Sequence, residues 1–135
     1  MYLLGMICGG LERKGHRAET RPLSDITVED RKISGNAQAR KRFFMLHHGT
    51  ILYDLDLSRI AEYVKHPPDE PEYRERRAHP DFLTNIPAGK EELKRLLTEA
   101  FSASGERHIL SEEDTHDLGE LVSAKYSRSE WNCAF

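Results

Sequence analysis

The chain has 135 residues, of which 38% are hydrophobic and 32% charged, with a mean hydropathy of −0.67. That length admits one domain with a lean core. The net charge of −3 excludes an overall attraction to nucleic acid or to an anionic membrane surface. The basic cluster Arg40-Lys41-Arg42 has no interleaved aromatic platform on which bases would stack, so it reads as a solvated strand approach.

From the start of the chain, Leu3, Leu4, Ile7 and Leu11 fall on one helical face, and Gly15 is placed to close the helix. Gly5, Gly9 and Gly10 each cost about 1 kcal/mol relative to alanine in an isolated helix, so this one needs packing partners. The stretch Met1–Gly10 lacks a basic leader, is too short to span a bilayer and runs into Glu12-Arg13-Lys14, which predicts no membrane segment. Cys8 and Cys133 lie near opposite ends with no metal-ligand spacing, and read as reduced thiols of a cytoplasmic protein.

Two β-branched runs, Ile26-Thr27-Val28 and Lys32-Ile33-Ser34, flank a charged turn at Glu29-Asp30-Arg31 and predict a hairpin. Beyond Ile33 the second arm gives up bulk for Ser34-Gly35-Asn36-Ala37-Gln38, with Lys32 at its head. One reading is a glycine bulge in an ordinary sheet beside a solvated lysine. The other is a bare surface that lets a phosphate- or carboxylate-bearing ligand approach the backbone and meet a cation.

Phe43–Tyr53 is almost continuously apolar and predicts a central strand covered on both faces. His47 and His48 then point to opposite faces and cannot serve one metal site together. Asp56 is placed to cap a helix carrying Leu57, Ile60, Ala61 and Val64, which Pro67-Pro68 stops. Lys65–Pro80 combines prolines with dense charge and predicts a mobile surface loop with little to bury. Leu93, Leu96, Leu97, Ala100 and Phe101 form the next stripe, with Glu91 and Glu92 in the first turn and Ser104-Gly105 as its close. Ser111 and Asp114 match a capping box before Leu118, Leu121 and Val122. Strands first and helices afterwards predict an α+β fold: a mixed, mainly antiparallel sheet with helices packed on one face.

Lys32-Ile33-Ser34-Gly35-Asn36-Ala37-Gln38, followed by His48-Gly49-Thr50-Ile51-Leu52, resembles the lysine motif of lipoate–protein ligases and related octanoyltransferases. Thr84-Asn85 and Glu130-Trp131-Asn132 are similar to later landmarks of that family, in the same order. The likeness runs from about Gly15 to Asn132 and covers only the C-terminal half of the family's catalytic domain. The family's earlier Arg-Arg and Gly-Gly-Gly segment has no counterpart, and Gly9-Gly10 does not replace it. Residues 1–135 are therefore expected to form a partial catalytic domain whose N-terminal part is missing.

The resemblance implies ATP-dependent activation of lipoate or octanoate to an acyl-adenylate, with Mg²⁺, and transfer to a lysine of a lipoyl carrier domain or a glycine-cleavage H-type protein. Lys32 is implied as the catalytic cation that holds the acyl carbonyl and phosphate oxygens. Ser34, Gly35, Asn36, Ala37, His48, Gly49 and Thr50 are implied to line the substrate. Asp25 corresponds to the acid of an Asn-Asp pair near the phosphates and their metal, although Ser24 stands where that pair has its first residue. Other members take octanoate from acyl carrier protein through a catalytic cysteine. Neither Cys8 nor Cys133 falls at such a position, which favours the adenylating route. The alternatives are an octanoyltransferase, or a non-catalytic fragment or subunit that needs the missing half.

Overall fold

The computed structural model describes residues 2–105 and 109–133. They fall into two compact units, Met1–Ala103 and Ser104–Phe135.

The first unit opens with helix α1, Tyr2–Glu12, which buries Leu4, Ile7, Cys8 and Leu11. Gly15 ends it with φ +87, a left-handed conformation that glycine adopts without a Cβ penalty. The His16 N–H donates to Leu11 C=O at 3.0 Å and the Gly15 N–H to Glu12 C=O at 2.9 Å, the paired bonds of a Schellman close.

Four strands follow: β1 Ala18–Arg21, β2 Asp25–Val28, β3 Arg31–Arg40 and β4 Met45–Ile51. Among the described residues, neighbours in sequence are neighbours in the sheet and every strand pair is antiparallel, with one parallel bridge between Lys32 and Leu83. The predicted hairpin is β2–β3. Its turn residues Glu29 and Asp30 have φ of 50° and 58°, the twist that suits a tight two-residue connection. Neither is glycine, and Asp30 is held from outside by Arg21 at 3.0 Å and Arg77 at 3.3 Å.

The register shifts within this hairpin. Ile26 pairs with Ser34 but Thr27 with Lys32, leaving Ile33 as the extra residue. The bulge therefore sits at Ile33 and not at Gly35. It sends Ile33 wholly into the core while Lys32 stays on the opposite face beside Thr27.

Ile26 and Ile33 pack with α1 and with Leu93 and Leu96 of helix α4, Lys90–Ala100, so these helices cover one face of the sheet as expected. Gly10 permits the close approach of α1 to α4, because a Cβ there would lie 2.8 Å from Leu96 Cδ2. A left-handed Ser102, φ 50°, turns the chain just beyond α4, ahead of the expected Ser104-Gly105. Asp56 caps the short helix α2, Leu57–Tyr63, by accepting from the Ser58 N–H at 3.1 Å.

Two expectations are corrected. The Phe43–Tyr53 run is not a central strand: β4 pairs only with β3 and is an edge among the described residues, with Phe43 and Phe44 each 79% exposed. Continuous apolarity signals burial, but no further strand is described beside β4 to provide it. Nor does the Lys65–Pro80 loop have little to bury. Arg74 is 5% exposed, and its guanidinium lies 4.7 Å over Phe82 of helix α3, His79–Phe82, with that of Arg77 at 5.4 Å. The planar cations stack on an aromatic face and bring the charged loop down with them.

In the second unit, the predicted capping box opens helix α5, Glu112–Leu121, with Ser111 and Asp114 bonded reciprocally. A π-helical turn, Val122–Tyr126, leads to helix α6, Ser129–Asn132, where Trp131 packs edge-on against Tyr126 at 5.5 Å. No helix among the described residues is long and apolar enough to cross a membrane.

The α1–α4 contact gives a stability test. Gly10→Val should cost about 1–3 kcal/mol by overpacking against Leu96, whereas Gly5→Ala, where nothing lies within 4 Å, should gain up to about 1 kcal/mol in helix propensity. Urea unfolding of the two variants measures both.

Candidate functional site

The bulge leaves Lys32, Thr27, Asp25 and Gly35 on the sheet face opposite α1 and α4. The backbone of Lys32 is fixed there by the Thr84 N–H, which donates to its C=O at 3.0 Å. Arg31 adds a second tie through its bonds to the carbonyls of Pro80 and Leu83. The Thr84-Asn85 segment thus anchors the lysine strand. Asn85 also clamps the backbone N–H and C=O of Leu55, at 3.1 and 2.8 Å.

The Lys32 ammonium meets Asp25 Oδ1 at 2.8 Å, with side-chain exposures of 27% and 6%. Its stem crosses Gly35: a Cβ on that glycine would lie 3.3 Å from both Cε and Nζ. The bare strand therefore makes room first for the lysine itself. Asp25 is buried, and such a carboxylate needs partners on both oxygens. The second is Tyr73, from the charged loop, whose hydroxyl donates to Asp25 Oδ2 at 2.6 Å. Tyr73 also packs against Phe82 at 5.4 Å and carries the Arg21 guanidinium over its ring at 5.8 Å. Burial, the hydrogen bond to Asp25 and that carboxylate's charge all push the Tyr73 phenol well above its ordinary range.

The register divides the remaining sequence-derived residues. Gly35, Ala37, His48 and Thr50 share the face of Lys32. Ser34, Asn36 and Gly49 turn toward the helices. There the Asn36 amide donates to Ser24 C=O at 2.9 Å and to Ser34 Oγ at 3.0 Å, while the Ser24 hydroxyl donates back to Asn36 C=O at 2.7 Å. A side chain on Gly49 would collide with the Asn36 amide, so that glycine is required by packing. Ser24, which departs from the family pair, belongs to this network. His47 lies on the helix side with neither ring nitrogen bonded. An apolar cleft of about 500 Å³ opens there, between the β4 edge and Leu3, Ile7, Leu93 and Leu97.

Among the described residues no group of three or more His, Cys, Asp or Glu could hold a metal ion, and both oxygens of Asp25 are engaged. Cys8 is buried in α1, its thiol pushed up chiefly by burial, and it packs on the helix side of the sheet. The feature that sequence reasoning missed is Tyr73. Its only signal was an aromatic residue within a run of charges.

Two tests follow from this geometry. A phenol whose folded pKa is raised contributes stability that is complete below its unfolded value, about 10, and is lost as pH climbs toward the folded value. The parent should therefore lose stability more steeply above that pH than Tyr73→Phe, as measured by urea unfolding across the alkaline range. Gly35→Val should drive the Lys32 stem off its track and break the contact with Asp25, which a crystal structure of the variant would reveal.

Residues 1–103 match the family model described as the lipoyl protein ligase A/B catalytic domain. Among curated proteins, the chain is 34% identical over 121 residues to octanoyltransferase LipM of Geobacillus kaustophilus, covering 80% of this chain and 42% of that protein. It is 33% identical to octanoyltransferase LipM of Kyrpidia tusciae, at 80% and 43% coverage. The chain thus spans less than half the length of these relatives. Among solved structures, the bi-partite lipoate protein ligase of an archaeal lipoylation system from Thermoplasma acidophilum shares the fold with a TM-score of 0.80 at 24% identity, over 97% of this chain and 56% of that one. A lipoate-protein ligase A bound with ATP superimposes with a TM-score of 0.74 at 26% identity, over 96% of this chain and 56% of that one. The match over most of its length shows that the chain belongs to the lipoyl protein ligase A/B catalytic-domain family.

Proposed function

We propose that this chain takes part in lipoyl or octanoyl transfer, and that it does so by the adenylating route. Lipoate or octanoate is activated with ATP to an acyl-adenylate, and the acyl group passes to a lysine of a lipoyl carrier domain or an H-type protein. The observation that carries this reading is the Lys32 ammonium, laid across Gly35 against Asp25 and still 27% open to solvent. Asp25 occupies one side of the ammonium, and the remaining N–H donors are free to meet the carbonyl and phosphate oxygens of a mixed anhydride. A fixed cation at that point stabilises the charge that develops on the carbonyl oxygen as the carrier amine attacks, and the adenylate leaves with its electron pair. Gly35, Ala37, His48 and Thr50 form the wall beside it, and Ser34, Asn36 and Gly49 brace that wall from behind.

A second reading, octanoyl transfer from acyl carrier protein through a cysteine, draws support from the names of the curated relatives. Against it, Cys8 lies in the core on the far side of the sheet from Lys32, with its thiol pushed toward the unreactive protonated form. The two free thiols also favour a cytoplasmic setting.

The reading includes a partial domain. This chain would supply the lysine-bearing part of the catalytic domain, and a companion N-terminal part would complete the acyl pocket. Coverage of 42–43% of the curated relatives supports this, as does the β4 edge, unpaired among the described residues, with its exposed Met45 and Leu46.

The test is a lipoylation assay with ATP, Mg²⁺, lipoate and a carrier domain, run with and without the N-terminal half of a relative. Activity should be negligible for the chain alone and recover on complementation. Lys32→Ala in the complemented assay should then lose about 10²-fold or more, the scale of a lost charge-stabilising donor. Wild-type turnover by Lys32→Ala would remove the proposed role, and robust turnover by the monodisperse chain alone would remove the partial-domain reading.

A further inference from the structure

We propose that Tyr73 is a positioning residue for Lys32 and acts through Asp25, so that the charged loop sets the aim of the ammonium on the sheet. This deepens the function proposed above and rests on it for its catalytic meaning. The geometry is a relay of two contacts: Tyr73 Oη to Asp25 Oδ2 at 2.6 Å, and Asp25 Oδ1 to Lys32 Nζ at 2.8 Å. A buried carboxylate with one oxygen unbonded would rotate or recruit water to satisfy it. Either movement would release the lysine, whose long stem rests on a glycine and has no side chain there to confine it. Tyr73 supplies the missing bond and closes off the other orientations of Asp25.

Tyr73 is itself fixed by contacts that owe nothing to Asp25. Its ring packs on Phe82, which lies under Arg74 and Arg77, and Arg77 is tied to Asp30 in the β2–β3 turn. The hydroxyl is thus presented by a braced loop. Coupling of this kind is reciprocal. A ligand group that draws Lys32 away from Asp25 therefore also loosens the hold of Tyr73 on that carboxylate.

The test reads Lys32 directly in the isotope-labelled chain, through the proton–nitrogen correlation signal of its ammonium and its rate of hydrogen exchange. The Lys94 ammonium, held by Glu91 at 2.9 Å on an exposed helix, is the internal reference. Tyr73→Phe keeps the ring and its contact with Phe82. It should speed exchange at Lys32 roughly threefold or more, the scale of one net hydrogen bond, and leave Lys94 unchanged. Equal exchange at Lys32 in parent and variant would overturn the proposal. So would acceleration of both lysines together, because a purely structural loss would not single out Lys32. Full transfer activity in Lys32→Ala would remove the proposed function and leave this measurement intact. Unchanged exchange would remove the role of Tyr73 whatever Lys32→Ala does.

Discussion

The interaction on which the site depends is the partly buried ion pair between Lys32 and Asp25, and it exists because β3 carries one residue too many. A regular ladder alternates its side chains, so Lys32 and Ser34 would share a face and Ile33 would oppose them both. The bulge at Ile33 breaks that alternation. It sends Ile33 into the core and Ser34 toward the helix side, and still leaves Lys32 beside Asp25. The apolar anchor and the functional cation come from adjacent residues, and the same backbone irregularity serves both. The pair is kept from being a net cost by its third member. A buried carboxylate facing one cation would leave lone pairs unsatisfied, and the Tyr73 hydroxyl takes them up.

That third member explains why a loop dense in charge lies down on the protein. Its arginines bury their planar heads on Phe82 and bond backbone carbonyls at their edges: Arg74 reaches Arg77 C=O at 3.1 Å and Arg77 reaches Tyr73 C=O at 2.8 Å. Charge of this kind is not the solvated charge that composition suggests. Arg77 then reaches Asp30, which is also held by Arg21, so that the hairpin turn, β1 and the loop are joined at one carboxylate. Each exposed pair contributes little alone. Their place in a connected set is what aligns the loop with the site.

The two faces of the sheet have different work. The helix side is closed by hydrocarbon, with Gly10 letting α1 and α4 meet, and by the Ser24–Asn36–Ser34 network, which requires glycine at position 49. The other side is polar and carries the cation. Motif residues adjacent in sequence thus divide into a wall and its bracing, since the period of a strand is two.

By itself the sequence determined the elements that rest on local rules. Apolar spacing placed α1 and α4, the Gly15 close and the Asp56 and Ser111 caps came from backbone chemistry within a few residues, and the β-branched runs gave the β2–β3 hairpin. The lysine motif was legible as a bare strand headed by a cation, and its likeness pointed to the family. Strand β1 was not legible, because Ala18-Glu19-Thr20-Arg21 has neither apolar alternation nor bulk and is a strand only through its pairing with β2. Tertiary structure alone decided that β4 is an edge, that the bulge falls at Ile33, and that Tyr73 stands on Asp25 across a separation of 48 residues. A contact of that range depends on the position of a docked loop, and docking is set by side chains on Phe82, Asp30 and Arg21 that share no local pattern with it. Periodicity reports which side of an element is buried; it carries no information about which distant group arrives to cover the other.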